Sequence, residues 1–370
     1  MKRNSYFGLA MALCLATFAG CASQIDMDGA IQDDDGWAFS GSVSAGAFAV
    51  DSLAFSPEGK KLASTHYPQN PSSWRVQWLI ENPPGTVRIW EPKDFGSGLE
   101  FWVDQASLTI DAMVGYAPLY FTPDGECVHV MGGSEVVRWN IHELKPERFP
   151  VKNPRLVSPD GRHVAVRTGN DQVVVMEVET SEKRAELSAD GLDMWPIGFV
   201  DDGRLLAIQV TEADNSRYLA IYDIASQSEQ SRCLLRTTTS IQMAHAKTRI
   251  ATTQFCCGDV ISIWDINDGS LYRTFNAGDV VICGIALSPD ARLLAACTET
   301  PDGQDQGMTL IWDIEAGELI KTIRDDATVK DDDEYWGVTA VAFSPDGKTL
   351  ATGNSEGDVN FYSVPEIHAE

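Results

Sequence analysis

Along most of the chain, short runs of β-branched and aromatic residues alternate with brief polar clusters rich in Ser, Pro, Asp and Gly. The stretch near the C-terminus shows the pattern best. Val338-Thr339-Ala340-Val341-Ala342-Phe343 leads into Ser344-Pro345-Asp346-Gly347, then Thr349-Leu350-Ala351-Thr352-Gly353, then Val359-Asn360-Phe361-Tyr362. Apolar runs of this length predict strands, and Ser-Pro-Asp-Gly predicts a tight turn, because Pro presets φ at the second position and Gly closes the fourth. The intervals are too short for a helical crossover, so neighbouring strands must run antiparallel. A further, more polar strand follows the third, as in Leu271-Tyr272-Arg273-Thr274-Phe275 or Leu319-Ile320-Lys321-Thr322-Ile323.

The same order recurs up the chain. It appears at Leu53-Ala54-Phe55-Ser56-Pro57-Glu58-Gly59 with Val87-Arg88-Ile89-Trp90, and at Phe121-Thr122-Pro123-Asp124-Gly125 with Val136-Val137-Arg138-Trp139. Ser158-Pro159-Asp160-Gly161 precedes Val173-Val174-Val175-Met176, and Ser288-Pro289-Asp290-Ala291 precedes Leu310-Ile311-Trp312-Asp313. Two worn copies lie between these: Asp201-Asp202-Gly203 with Leu219-Ala220-Ile221-Tyr222, and Thr248-Arg249-Ile250-Ala251 with Ile261-Ser262-Ile263-Trp264-Asp265. Seven units between Trp37 and Val364 average about 47 residues each, a little above the ~40–45 of a four-stranded WD40 blade.

On these residues the chain resembles the WD40-type β-propellers over nearly the whole of positions 37–370. The resemblance implies an all-β, seven-bladed β-propeller of four-stranded antiparallel blades. Two departures stand out. Trp-Asp occurs only at Trp264-Asp265 and Trp312-Asp313, and no Gly-His dipeptide is present, so the buried Asp–His–Ser–Trp network of many family members is expected to be missing. The last blade also has only three strands of its own. Its fourth must come from elsewhere or leave an open edge, and Trp37-Ala38-Phe39-Ser40, just ahead of blade 1, is the candidate.

The N-terminus has a different character. Met1-Lys2-Arg3 is followed by an uncharged run from Tyr6 to Ala22, the form of a secretory signal and too short to span a bilayer comfortably. Phe18-Ala19-Gly20-Cys21 resembles the lipobox of bacterial lipoproteins, although Phe18 replaces the usual Leu. That resemblance implies a signal peptide at 1–20, acylation of Cys21, and, because Ala22 rather than Asp follows, a place in the outer membrane facing the periplasm or cell surface. Residues 21–36 then read as an acidic tether.

Charge narrows the partners. Lys and Arg number 28 against 54 Asp and Glu, a formal net charge of −26. Such a balance excludes a nucleic-acid surface and a polybasic membrane patch, since both need cations to displace counterions from phosphates. Insertions lie between second and third strands or between blades, and alternating strand direction puts all of these on one face. They comprise 66–85 with Tyr67, Trp74 and Trp78, then 211–217, 299–307, and the link carrying Asp331, Asp332, Asp333, Glu334, Tyr335 and Trp336. With Trp195 these aromatic and acidic residues form a candidate binding face for a protein or peptide with a basic surface. Trp195 and Trp336, close to strand starts, could equally fill gaps between blades.

Local chemistry is sparse. The run 331–334 lacks the alternating ligands and central Gly of a calcium loop, so no metal is expected there. Six cysteines remain beyond Cys14 and Cys21; they are either small core residues or paired. Cys283 and Cys297, about equidistant from the blade 6 turn, are the favoured disulfide, while Cys256-Cys257 sits on the insertion side. His129, His142, His163 and His245 fall in or beside strands, the ordinary setting of core or solvated imidazoles. No nucleophile elbow, zinc motif or phosphate-cradling loop occurs, and no cofactor is called for. The expected function is a lipid-anchored envelope module for protein interaction, with oligomeric state open. The alternative is an envelope enzyme or carrier that uses the same face for a metal, redox cofactor or glycan.

Overall fold

Each Ser-Pro-Asp-Gly cluster builds its turn from its own side chains. Ser288 Oγ donates to Asp290 Oδ1 at 2.6 Å and accepts from Leu293 N at 2.8 Å. Ser344, Asp346 and Thr349 repeat this at 2.7 and 2.9 Å, and Thr122, Asp124 and Cys127 do so with threonine in the serine's place. The hydroxyls of Thr122 and Ser344 hold the Asp124 and Asp346 carboxyls below their usual range. The last turn residue takes positive φ, +69° at Gly161 and +71° at Gly347, which glycine adopts without a Cβ penalty.

These turns join the strands of a computed structural model that describes residues 36–44, 48–68, 85–94, 100–110, 119–189, 191–235, 241–254, 259–299, 307–325 and 337–366. The strands form seven antiparallel sheets of four. First strands of successive blades touch or reach the neighbouring blade's inner strands, so they ring the central axis. The molecule is the seven-bladed β-propeller that the repeats implied.

Apolar seams between blades supply the core. One joins Leu156, Ala165, Val173 and Val175 of blade 3 to Met194, Phe199, Leu206 and Ile208 of blade 4. Another joins Ala251, Ile261 and Ile263 of blade 5 to Leu294, Ala296 and Trp312 of blade 6. At ~25 cal/mol per Å² of apolar surface removed from water, stacked sheet faces of this kind are the main source of stability.

The ring closes with its two chain ends. Ala38–Ser44 pairs antiparallel with Asp358–Ser363 and supplies the fourth strand of blade 7. The expected segment is therefore the right one, and it runs four residues beyond Ser40. Trp37 anchors it, 3% exposed, in a cluster with Leu293, Ala295, Ile311, Ile323 and Leu350.

One expectation fails in blade 1. The indole nitrogen of Trp90 donates to Ser64 Oγ at 2.6 Å, and that hydroxyl stands 2.6 Å from His66 Nε2, with all three residues buried. A Trp–Ser–His relay thus exists without a Gly-His dipeptide. The histidine comes from the same strand as the serine, two residues on, where strand periodicity puts both side chains on one face. Blade 5 keeps a shorter form, with Trp264 Nε1 donating to Thr252 Oγ1 at 2.8 Å.

Five blades carry a register shift between first and second strands, which leaves one extra residue on the inner strand. These residues are Asp51, Arg155, Ile197, Cys283 and Thr339. A bulge of this kind re-aims the extra side chain and bends its strand.

Candidate functional site

Turns between first and second strands open on one face of the disc. Links between blades and turns between second and third strands open on the other. Of the sequence-predicted binding residues, Trp74, Trp78, Asp331, Asp332, Asp333, Glu334, Tyr335 and Trp336 lie outside the described residues, as does Cys21. Trp195 is described. Among the described residues no group of three or more His, Cys, Asp or Glu stands at metal-ligand spacing.

The stems of two insertions meet on this face. Asp325 N donates to Gly307 O at 2.9 Å, so the strand ends that bracket 300–306 and precede 326–336 are tied together. A Cβ on Gly307 would lie 2.4 Å from the Gly337 backbone, a closeness only glycine permits. Asn354 Nδ2 donates to Asp325 Oδ2 at 3.0 Å with both residues buried, and Asn354 Oδ1 accepts from Glu356 N and Asp358 N. The blade 4 insertion, by contrast, closes on itself: Glu212 N bonds Ser216 O, Asn215 N bonds Glu212 O, and Asp214 Oδ1 accepts from Ser216 N.

Trp195 lies on the first strand of blade 4, Asp193–Val200, near the end that faces the insertions. Met194 beside it is fully buried in the seam, so strand alternation turns Trp195 to the opposite side. Two arginines of blade 3 cover it. Arg155 Cζ is 4.5 Å and Arg167 Cζ 4.8 Å from the ring centroid. The ring therefore contacts two side chains of blade 3 from the inner strand of blade 4, at the mouth of the central channel.

The two guanidiniums differ in what else they touch. Arg167 pairs with Asp193 and donates to Asn170 Oδ1 at 3.2 Å. Arg155 is the bulged residue of Pro154–Val157; its Nε is buried without an acceptor, and no described residue takes a hydrogen bond from its head. Burial, and then the neighbouring Arg167 charge, depress its pKa. Neither arginine stood out in the sequence. A lone Arg in a strand carries no motif, and the bulge that presents Arg155 has no marker of its own.

The expected Cys283–Cys297 disulfide is not formed; both residues are thiols. The bulge at Cys283 puts Gly284 opposite Cys297, and Cys297 Sγ lies over that glycine, bonded to Gly284 O at 3.5 Å. Cys283 turns instead toward Val281 O at 3.8 Å. A one-residue shift reverses which way a strand side chain points, so equal distance from a turn does not make two cysteines opposite. Burial raises the Cys297 pKa strongly and pushes the buried Cys233 thiol up to about 12. Cys256 and Cys257 lie outside the described residues.

Comparison with known proteins agrees with the architecture. The family described as WD domain, G-beta repeat matches residues 327–363, the last blade and the link into it. The chain is similar to Protein NEDD1 of Mus musculus, 33% identical over 106 residues, which cover 28% of this chain and 14% of that protein. Protein NEDD1 of Homo sapiens is 31% identical over the same length, again 14% of the relative. Small ribosomal subunit protein RACK1z of Oryza sativa subsp. japonica is 26% identical over 105 residues, 28% of this chain and 29% of the relative. The chain thus spans less than a third of the length of these curated relatives.

Proposed function

We propose that this propeller is a scaffold for protein interaction, held at a membrane by a lipid on Cys21 and presenting the insertion face to a protein or peptide partner. One observation carries the reading. Several longer insertions spring from one face of a closed, rigid ring, and two of them rise from stems locked by the buried Asn354–Asp325 hydrogen bond. Binding loops set on a rigid scaffold are the usual arrangement for recognition, because the scaffold meets the ordering cost before the partner arrives. The similarity of one blade to the WD domain, G-beta repeat is consistent with this reading.

Lipid anchoring rests on the apolar run ending in Ala19-Gly20-Cys21, and an outer-membrane address on Ala22. Acyl chains at ~0.8 kcal/mol per buried CH₂ make a multiply acylated cysteine a lasting anchor. Cys21→Ser is expected to move the protein from the membrane to the soluble envelope fraction or to stall its processing. Unchanged membrane retention with a mature N-terminus elsewhere would refute the anchor. Crosslinking of the native protein in its membrane, followed by identification of bound proteins, tests the scaffold reading itself. Recovery of no protein partner, together with stoichiometric metal or a visible chromophore in the purified chain, would favour the enzyme or carrier.

A further inference from the structure

In a chain with nearly twice as many carboxylates as cations, a guanidinium with no described carboxylate beside it is out of the ordinary. The other described arginines of the blade 2 to blade 5 arc are mostly paired: Arg138 with Glu147 and Glu179, Arg148 with Glu135, Arg184 with Glu177, Arg204 with Asp201 and Asp223, Arg232 with Glu229 and Glu212, Arg249 with Glu315. Among the described residues, Arg155 has only the Trp195 ring and the like charge of Arg167. Its Nε is sealed from water without an acceptor, while its two Nη groups are not sealed. The head is therefore fixed at one end by stacking and open at the other, at the channel mouth on the insertion face.

Each feature of the surroundings suits a single negative charge. Arg167 is neutralised by Asp193, so among the described residues the local excess is one positive charge, that of Arg155. A planar guanidinium stacked on an indole keeps its outer edge in one orientation and offers paired N–H donors that match a carboxylate. The bulge brings the side chain to the rim, where bulges commonly re-aim functional residues. A dianion would leave an unbalanced negative charge inside an already acidic molecule, whereas a carboxylate would not.

We propose that Arg155, held against Trp195 at the channel mouth between blades 3 and 4, receives one carboxylate side chain of a bound peptide. This rests on the scaffold reading and sharpens it. The partner carries an acidic residue that enters the channel mouth, set among basic residues that face the acidic insertions.

The test uses full-length protein labelled with 5-fluorotryptophan, the Trp195 resonance being identified by its loss in Trp195→Phe. N-acetylglutamate amide is titrated as the probe, with N-acetylglutamine amide as its neutral isostere and inorganic phosphate as the competing anion. We expect a saturable shift of the Trp195 signal with the glutamate probe, none with the glutamine probe, and a weaker response to phosphate. Arg155→Gln should weaken the glutamate response at least about tenfold, the worth of a charge-assisted hydrogen bond, with an unchanged melting temperature. A wild-type Trp195 signal indifferent to all three probes overturns the site, and so does an equal response in Arg155→Gln. Tighter binding of phosphate than of the glutamate probe overturns the carboxylate assignment. Should Arg155→Gln fold poorly, the glutamate-against-glutamine comparison on the wild type still decides. These small probes need no macromolecular partner, so failure here leaves the crosslinking result to judge the scaffold separately.

Discussion

At the scale of single residues, His129 shows how tightly the blades are fitted. It is 1% exposed, neither ring nitrogen has a hydrogen-bond partner among the described residues, and its imidazole lies against the Gly161 turn of the next blade. A Cβ added to Gly161 would fall 1.9 Å from His129 Cε1, whereas one added to Gly347 would meet only Pro289 Cδ at 3.7 Å. Both glycines have φ near +70°, so alanine at either should lose about 1 kcal/mol to backbone strain. Gly161→Ala should lose about 2–4 kcal/mol in all because it also overpacks the imidazole, and His129→Ala should recover part of that in the double variant. Urea unfolding of the four proteins measures the coupling; additive losses would show that the contact carries no energy.

The same histidine gives the molecule an acid-sensitive seam. Burial, then the nearby Arg138 charge, push its pKa down to about 4, with Asp160 and Asp124 opposing weakly. Burial lowers His245 as well, opposed by Asp202. The neutral form is favoured in the folded state, so the stability contribution is complete above the unfolded value of about 6.5. It falls as the pH drops toward 4, because the unfolded chain takes up the proton first. Between pH 7 and 5 few carboxylates titrate. The loss expected from His129 over that interval is about 2 kcal/mol, and His129→Leu should flatten the profile by that much. An unaltered pH dependence in His129→Leu would place the sensitivity elsewhere.

At the scale of elements, the closing strand is the part whose removal is most consequential. Its backbone pairs with Asp358–Ser363 from Ala38 to Ser44, Ser40 Oγ meets Ser363 Oγ at 2.9 Å, and Phe39 packs edge-on against Tyr362 at 5.7 Å. Trp37 locks the strand into the seam between blades 6 and 7. Trp37→Ala should cost about 3–5 kcal/mol, and deletion of 36–44 should lower the melting temperature further or cause aggregation through the exposed edge of Asp358–Ser363. Thermal melts with light scattering report both; full stability after deletion would mean that closure contributes nothing. This strand was legible in the sequence because an open edge has to be covered and Trp37 to Ser40 lay in the right place. Five of the seven turns were legible for a similar reason, since Ser or Thr, Pro, Asp and Gly each have a fixed duty in them, while the two worn copies were placed by the order of the repeat. The bulges were not, because they arise from how an inner strand curves around the axis and leave no mark on residue type. Two readings failed or were missed through that gap. Cys283 is turned away from Cys297, and Arg155 is delivered to the channel mouth. His66 escaped notice because the histidine of its relay was sought as part of a Gly-His dipeptide, whereas this one stands in the second strand of its blade.

At the scale of the whole molecule, the formal charge of −26 acts on stability and on association with opposite signs. Self-repulsion weakens the compact state, and salt relieves it as the Debye length shrinks from about 30 Å at 0.01 M to about 8 Å at 0.15 M. Added salt should therefore raise the melting temperature. Under the proposed scaffold role the same field would draw a basic partner toward the insertion face, so the association rate is expected to fall over the same range. Replacing Asp331, Asp332 and Asp333 together by Lys should slow association at low salt and flatten its salt dependence, with little effect on dissociation. Trp74→Ala and Trp78→Ala should do the reverse, speeding dissociation several-fold at unchanged melting temperature, because aromatic anchors set how long a complex lasts while distant charge sets how fast it forms. Stopped-flow association against the crosslinked partner, alongside thermal melts of each variant, separates the two effects. If the tryptophan variants lose their fold while their folded fraction captures partner normally, the rings belong to the blade seams, and the binding surface must be sought on the rim or the turn face.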